Sequence, residues 1–236
     1  MNNIVSQHEG FTQEISKEFF RSVYSYMFFA LAISGLISYW VGTPEFFQKY
    51  FISATGGLSP IFYVVIFAPI GLGLLIQMAY RKLSIAVLMA LFAGYAILMG
   101  LSLSSIFLMY SSTSIALTFC VAAGGFAGMA VLGYTTKTDL TKMGSLLYMA
   151  FIGIFIAGIV NVWLGSDMLS FVISLIGVFV FTGLTAYYMQ KLKGVSQDTD
   201  LSGLDRSKMA LVGGLQLYIL FINLFMVLLR LLGSRD

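Results

Sequence analysis

The sequence predicts an all-α membrane protein, a bundle of about seven transmembrane helices. Three observations lead there. Hydrophobic residues make up 59% of the 236 and charged residues only 10%, whereas a soluble domain carries about 25% charged residues. The apolar residues come in long blocks, each about 18 residues or more, separated by short polar breaks. The charges also keep out of those blocks. All ten acids (Glu9, Glu14, Glu18, Glu45, Asp139, Asp167, Asp198, Asp200, Asp205 and Asp236) lie outside them, and of the bases Arg230 alone falls within a terminal block. An ionised side chain near a bilayer centre costs at least about 3 kcal/mol, so this segregation is what a lipid solvent demands.

Residues 1–21 read as a polar N-terminal tail. They carry three acids and lack the basic-then-apolar order of a secretory signal, so the first span is expected to be an uncleaved anchor. The sole histidine, His8, reads as a solvated tail residue. The membrane bundle is expected over 22–232, with 233–236 as a short C-terminal tail. Its seven spans are Tyr24–Val41, Ile61–Tyr80, Leu83–Met109, Ile115–Tyr134, Ser145–Leu164, Met168–Tyr188 and Met209–Leu232. As helices each is long enough for a hydrocarbon core of about 30 Å, with every backbone group bonded internally.

The breaks carry turn chemistry. Thr43–Gly57 holds Pro44 and Gly56-Gly57, Arg81-Lys82 divides two apolar runs, and Ser111–Ser114 is rich in hydroxyls. The Lys191–Lys208 connection holds most of the loop charge, and Asp205 or Ser207 is expected to cap the last helix. Within the second span Pro69, followed by Gly71 and Gly73, removes a helical hydrogen bond. A packed kink is favoured there over a hinge. In the fourth span Gly124 and Gly128, four apart, predict close packing against another helix of the bundle rather than a dimer seam.

Orientation follows from the bases. With the N-terminus inside, the inner side holds Lys17, Arg21, Arg81, Lys82, Lys137, Lys142, Lys191, Lys193, Arg206 and Lys208. The outer side holds Lys49, Arg230 and Arg235. Ten against three is a positive-inside bias, and it puts the C-terminus outside. Trp40 and Trp163 then both fall at the outer interface, where indoles prefer to sit.

The chemistry-bearing motifs of enzymes are missing. The chain has no H-E-x-x-H, no G-x-S-x-G and no G-x-x-x-x-G-K, so no catalytic residue, no cofactor and no enzymatic activity is expected. Cys120 is the only cysteine and lies inside an apolar block, which rules out an intrachain disulfide and suggests no metal site. The net charge of +3 gives no reason to expect nucleic acid as a partner. Asp198-Thr-Asp200-Leu-Ser202-Gly203 opens like a calcium-binding loop, but the twelfth position, where a bidentate Glu belongs, is Met209. It reads as a solvated loop.

Three stretches occur together in order: Gly133-Tyr-Thr-Thr-Lys-Thr-Asp139-Leu, Phe181-Thr-Gly-Leu-Thr-Ala-Tyr-Tyr-Met-Gln-Lys-Leu-Lys193, and Leu217-Tyr-Ile-Leu-Phe-Ile-Asn-Leu-Phe225 followed by Leu228-Leu-Arg230. From the Arg81-Lys82-Leu-Ser turn to Arg230 the chain resembles the transmembrane Bax inhibitor motif (Bax inhibitor-1) family, most closely its bacterial branch. The resemblance implies a seven-helix bundle with the last helix near the centre, in the bacterial inner membrane. Several members are linked to a pH-sensitive calcium leak. In the family pattern two aspartates, one on each of the last two spans, share a proton and plug the pathway, helped by an arginine at the end of the second span.

That arginine matches Arg81. The aspartate positions fall on Tyr188 and Leu220. Two close carboxylates raise one pKa and sense pH, whereas tyrosine stays neutral and leucine offers no ligand. What remains polar around them is Thr185, on the face of Tyr188, with Gln216 and Asn223 flanking Leu220 on one helical face. These are expected to form a neutral hydrogen-bonded cluster or ordinary interhelical packing. The function expected first is therefore a conduit for calcium or another cation without the acidic latch; the alternative is a non-conducting regulator that binds another membrane protein. For the second, the resemblance offers a membrane-anchored ATP-dependent protease as a partner of a bacterial member.

Overall fold

The computed structural model describes residues 2–53, 56–198 and 200–234, with side chains from residue 13 onward. The His8 side chain and the terminal residues Arg235 and Asp236 lie outside the described residues. Nine helices follow one another among those described: α1 (Asn2–Val41), α2 (Pro44–Phe51), α3 (Pro60–Ala79), α4 (Ile85–Leu103), α5 (Ile106–Met109), α6 (Ser112–Thr135), α7 (Thr141–Leu164), α8 (Asp167–Gln197) and α9 (Gly203–Leu232). Seven spans are long and apolar enough to cross a membrane, with α4 and α5 counting as one. The protein is an all-α, multi-pass membrane bundle.

Its exterior is apolar. Phe28, Trp40, Met78, Leu117, Val131, Val162, Trp163 and Phe179 are all exposed, and water would penalise so much exposed apolar surface. Lipid does not. α7 is the extreme case, with 6% of its most apolar stretch buried, against 67% for α9 and 39% for α8. α9 is the most buried of the seven spans.

Several boundaries differ from the sequence expectation, each for a local reason. α1 runs unbroken through the stretch read as a polar tail. Ser16, Phe19, Phe20 and Val23 are buried while Lys17, Glu18 and Arg21 face out, an amphipathic stripe that packs. The third span is interrupted after Leu103, where Ser104 Oγ donates to the Leu101 carbonyl (2.7 Å) and Ser105 Oγ to that of Ser102 (3.2 Å). Such back-bonding competes with the helical ladder. α2 arises in the first connection because Thr43 caps the Phe46 N–H with Pro44 at the first helical position, where a missing N–H costs nothing.

The last helix is capped neither by Asp205 nor by Ser207. Ser202 Oγ accepts from the Asp205 N–H (3.1 Å), an N-cap to the third helical position, and donates to the Asp205 carboxylate (2.7 Å), which orients the capping hydroxyl. The loop before it is tied to itself. Asp198 Oδ1 accepts from the Asp200 N–H (3.0 Å), and the Arg206 guanidinium donates to the Asp198 carbonyl (2.5 Å).

The chain forms two compact units. The first comprises Met1–Ser111 and Ser196–Tyr218. In it α1 packs along α4, α4 along α3, and α2 on α3. Glycines set the approach: a Cβ on Gly100 would crowd Ile37 and the Ser34 carbonyl, and one on Gly214 would crowd Tyr26 and the Val23 carbonyl. The Tyr218 ring lies edge-on to Phe92 and Tyr95 (centroids 6.4 and 5.9 Å). α3 runs unbroken through buried Pro69, and Ser102 Oγ donates to the Val65 carbonyl (3.0 Å). Lys208 Nζ donates to the Arg81 carbonyl (3.2 Å), so the end of α3 and the start of α9 lie at one end of this unit.

The second unit comprises Ser112–Val195 and Ile219–Arg235. Here α8 touches α6 at Gly133 and Ala186, α7 at Gly144 and Tyr187, and α9 at Gly177 and Val227. Phe119 and Phe126 pack edge-on against Phe221 (5.2 and 5.6 Å). Gly124 and Gly128 do not serve the expected packing. Both are exposed, and a Cβ on either would meet nothing within 4 Å. The inward face of α6 is Ala122, Phe126, Ala130 and Gly133 instead.

Candidate functional site

The sequence nominates Arg81, Thr185, Tyr188, Gln216, Leu220 and Asn223, and the helices distribute them as follows. Thr185 and Tyr188 stand on α8, and Leu220 and Asn223 on α9, within the second unit. Gln216 stands on α9 and Arg81 in the α3–α4 turn, within the first.

Thr185 is fully buried, and its hydroxyl donates to the Phe181 carbonyl one turn earlier (2.7 Å). Asn223 is half-buried and does the same, its amide donating to the Ile219 carbonyl (2.8 Å). Both side chains thus spend a donor on their own helix, the usual low-cost solution for a polar group in an apolar surround. Leu220 is buried at 4% exposure. Tyr188 is half-buried, and Lys191 Nζ lies 5.6 Å from its ring centroid. Gln216 differs from these: its Oε1 is buried without a hydrogen-bond partner among the described residues.

Arg81 is exposed and turns toward its neighbour. Its Nε donates to the Tyr80 hydroxyl (3.1 Å), and the guanidinium lies 5.7 Å from the Tyr80 ring centroid. The Tyr80 hydrogen bond holds its pKa above the ordinary arginine value, so Arg81 stays charged at every pH a cell meets.

Two of the three stretches behind the family resemblance lock together in the second unit. A Cβ on Gly133 would overlap the Ala186 backbone, which makes glycine obligatory where α6 crosses α8. Two residues of the second stretch to which the sequence assigned no site role complete the lock. Gln190 Oε1 accepts from the Leu140 N–H (2.8 Å), and Gln190 Nε2 donates to the Thr138 carbonyl (2.7 Å). Lys193 Nζ donates to the Tyr134 carbonyl (2.8 Å) and sits 5.1 Å from the Tyr134 ring centroid, a favourable place for a cation at a helix C-terminus. Their spacing along α8, one turn apart, was the signal available in the sequence. In the same loop Asp139 Oδ1 accepts from the Thr141 N–H (2.9 Å) and hydroxyl (2.6 Å), and these bonds hold its carboxyl below the ordinary range.

Among the described residues no group of three or more His, Cys, Asp or Glu side chains gathers to hold a metal ion. The arrangement offers neutral oxygens, own-helix hydrogen bonds and interlocked backbones.

Comparison with known proteins agrees with this architecture. The family model described as "Inhibitor of apoptosis-promoting Bax1" matches residues 16–236. Inner membrane protein YbhL of Escherichia coli K12 is 46% identical over 172 residues, covering 72% of this chain and 74% of that protein. A Borreliella burgdorferi protein is 42% identical over 225 residues, 94% of each chain. A Streptococcus pyogenes membrane protein is 34% identical over 219 residues, 93% of each chain. With the match covering nearly its whole length, seven apolar spans and the interlocked α6 and α8 stretches, the chain belongs to the Bax inhibitor-1 family.

Proposed function

We infer that this protein is a non-conducting regulator in the bacterial inner membrane, neither an enzyme nor an acid-gated calcium leak, and that it acts by binding another membrane protein. The N-terminus lies in the cytoplasm and the C-terminus outside. The observation that carries this reading is the chemistry at Tyr188 and Leu220. A dehydrated calcium ion takes about six to eight oxygens and needs counter-charge. Leu220 is buried and apolar, while Thr185 and Asn223 direct donors to their own helices. No carboxylate occurs in the apolar core of any span. Binding through helix faces needs none. A membrane-anchored protease is one partner of suitable kind.

One observation favours the conduit reading. Gln216 Oε1 is a buried carbonyl oxygen without a partner among the described residues, the kind of ligand a cation takes. Calcium flux into vesicles reconstituted with purified protein separates the two. Wild type is expected to match empty vesicles across about pH 6 to 8, the range in which a carboxylate pair or histidine would titrate. The Tyr188→Asp, Leu220→Asp double variant gains pH-dependent flux if a latent pathway lies there. Flux through wild type above that of empty vesicles, at any pH in this range, would refute the proposal. Crosslinking in native membranes that recovers only the protein itself would refute partner binding.

A further inference from the structure

Within the first unit α1 and α4 run parallel, with Tyr26 beside Phe92 and Ile37 beside Gly100. Between them they leave a groove of about 560 Å³, in the size range of small-molecule sites. Its lining changes character along its length. At the mouth stand Glu18, Arg21 and Ser22, with both charged side chains exposed. Beyond them the lining is apolar: Phe29 and Ile33 from α1 and Met89 and Phe92 from α4, with Phe92 buried and Phe29 and Met89 exposed along the groove's open side.

Length identifies the class of occupant. From Glu18 to Ile33 the groove follows α1 for about 22 Å at 1.5 Å per residue. Half a bilayer with its headgroup layer measures about 20–22 Å. The groove is thus one leaflet deep, polar where headgroups lie and apolar where chains lie. A soluble ligand would leave the apolar length unfilled, whereas a lipid of one leaflet matches both the charged mouth and the apolar length.

Charge identifies the headgroup. The mouth presents one carboxylate and one guanidinium a helical turn apart, about 4.5 Å along the axis. Glu18 is nearer the N-terminal end of α1 and therefore further out, with Arg21 below it. A phosphoethanolamine head has the same order, its ammonium outward and its phosphate toward the glycerol, joined by a two-carbon bridge. Arginine pairs well with phosphate oxygens, and a primary ammonium donates to a carboxylate. Phosphatidylglycerol would offer Arg21 the same phosphate but set a neutral glycerol, with no counter-charge, where the ammonium meets Glu18.

We propose that this groove binds one phosphatidylethanolamine-type lipid of the leaflet at the N-terminal end of α1, its phosphate on Arg21, its ammonium on Glu18 and one acyl chain along Phe29, Ile33, Met89 and Phe92. The site is independent of whether the protein conducts or binds a protein partner.

Native mass spectrometry of the purified full chain, titrated with phosphatidylethanolamine or phosphatidylglycerol of matched chains, tests it. Wild type is expected to prefer the former by about tenfold, the worth of one charge-assisted hydrogen bond. Glu18→Gln brings the two lipids within about twofold of each other, and Arg21→Gln weakens both by about tenfold. Ala93→Phe, which fills the groove wall, weakens both and leaves the preference intact, while Lys49→Gln on α2 changes neither. Glycerophosphoethanolamine, the head without its chains, fails to displace the lipid. Equal binding of the two lipids by wild type would overturn the proposal. So would a preference that survives Glu18→Gln, indifference to Arg21→Gln or Ala93→Phe, or displacement by the chainless head.

Discussion

The Ser102 hydroxyl donates across 3.0 Å to the Val65 carbonyl, the acceptor four residues before Pro69. Proline has no N–H to offer that carbonyl, and in an apolar surround an unpaired acceptor is costly. Ser102 supplies from α4 the bond that α3 cannot make for itself. Ser102→Ala is therefore expected to lower stability by about 1 kcal/mol, within the range of interhelical hydrogen bonds in membranes. In a Pro69→Ala background, where the restored backbone N–H would pair with the Val65 carbonyl, the same substitution becomes nearly silent. A double-mutant cycle by denaturant titration in detergent measures the coupling; additive effects would sever the link.

Glycines on α6 should respond in opposite directions. Gly133→Ala places a Cβ against the Ala186 backbone, and overpacking of this kind costs about 1–3 kcal/mol. Gly124→Ala and Gly128→Ala meet open space and gain up to about 1 kcal/mol of helix propensity. Melting of the three variants in one detergent gives the order directly.

Gln190 pins the connection between α6 and α7 with both ends of its amide. Gln190→Met keeps the length and apolar stem and removes both bonds, an expected loss of about 1–3 kcal/mol at two modest hydrogen bonds. The effect should be local, with amide exchange accelerated at Leu140 and its neighbours. Unchanged protection there would show that the loop is held by other means.

Asp139 gives a pH signature. Its carboxyl is held below the ordinary range by the Thr141 hydroxyl and N–H. A depressed folded-state pKa contributes stability that is fully present above the unfolded value and is lost as pH falls through the folded one. Acid should therefore weaken the start of α7, and Asp139→Asn should flatten that dependence without changing stability trends near neutrality. Melting temperatures from pH 7 down to about pH 3 provide the comparison.

Which parts of this molecule could be read from its sequence depends on the physics that encodes them. All seven spans were legible because lipid selects apolar blocks, and a block is visible without knowing its neighbours. Their ends were less so. α8 runs past Tyr188 to Gln197 because Leu192 and Ser196 are buried and Ser196 bonds to Ser16 (2.8 Å), a contact 180 residues away in the chain. Gly124 and Gly128 show a second limit. Spacing tells which residues share a face, but α6 is apolar all round, so nothing in its pattern says which face turns inward. At the candidate site the identities of Tyr188 and Leu220 were plain, whereas the own-helix bonds of Thr185 and Asn223 depend on rotamers. Gln190 and Lys193 were hidden for a related reason: a polar residue near a helix end reads as solvated until its partner loop is known.

Cys120 is the chain's single cysteine, and it stands exposed on α6. A spin label or fluorophore attached there would report from the outer surface of the folded protein with no background thiol to remove. The native sequence thus comes ready for depth measurements with lipid-soluble quenchers, which would locate α6 across the bilayer to within a few residues.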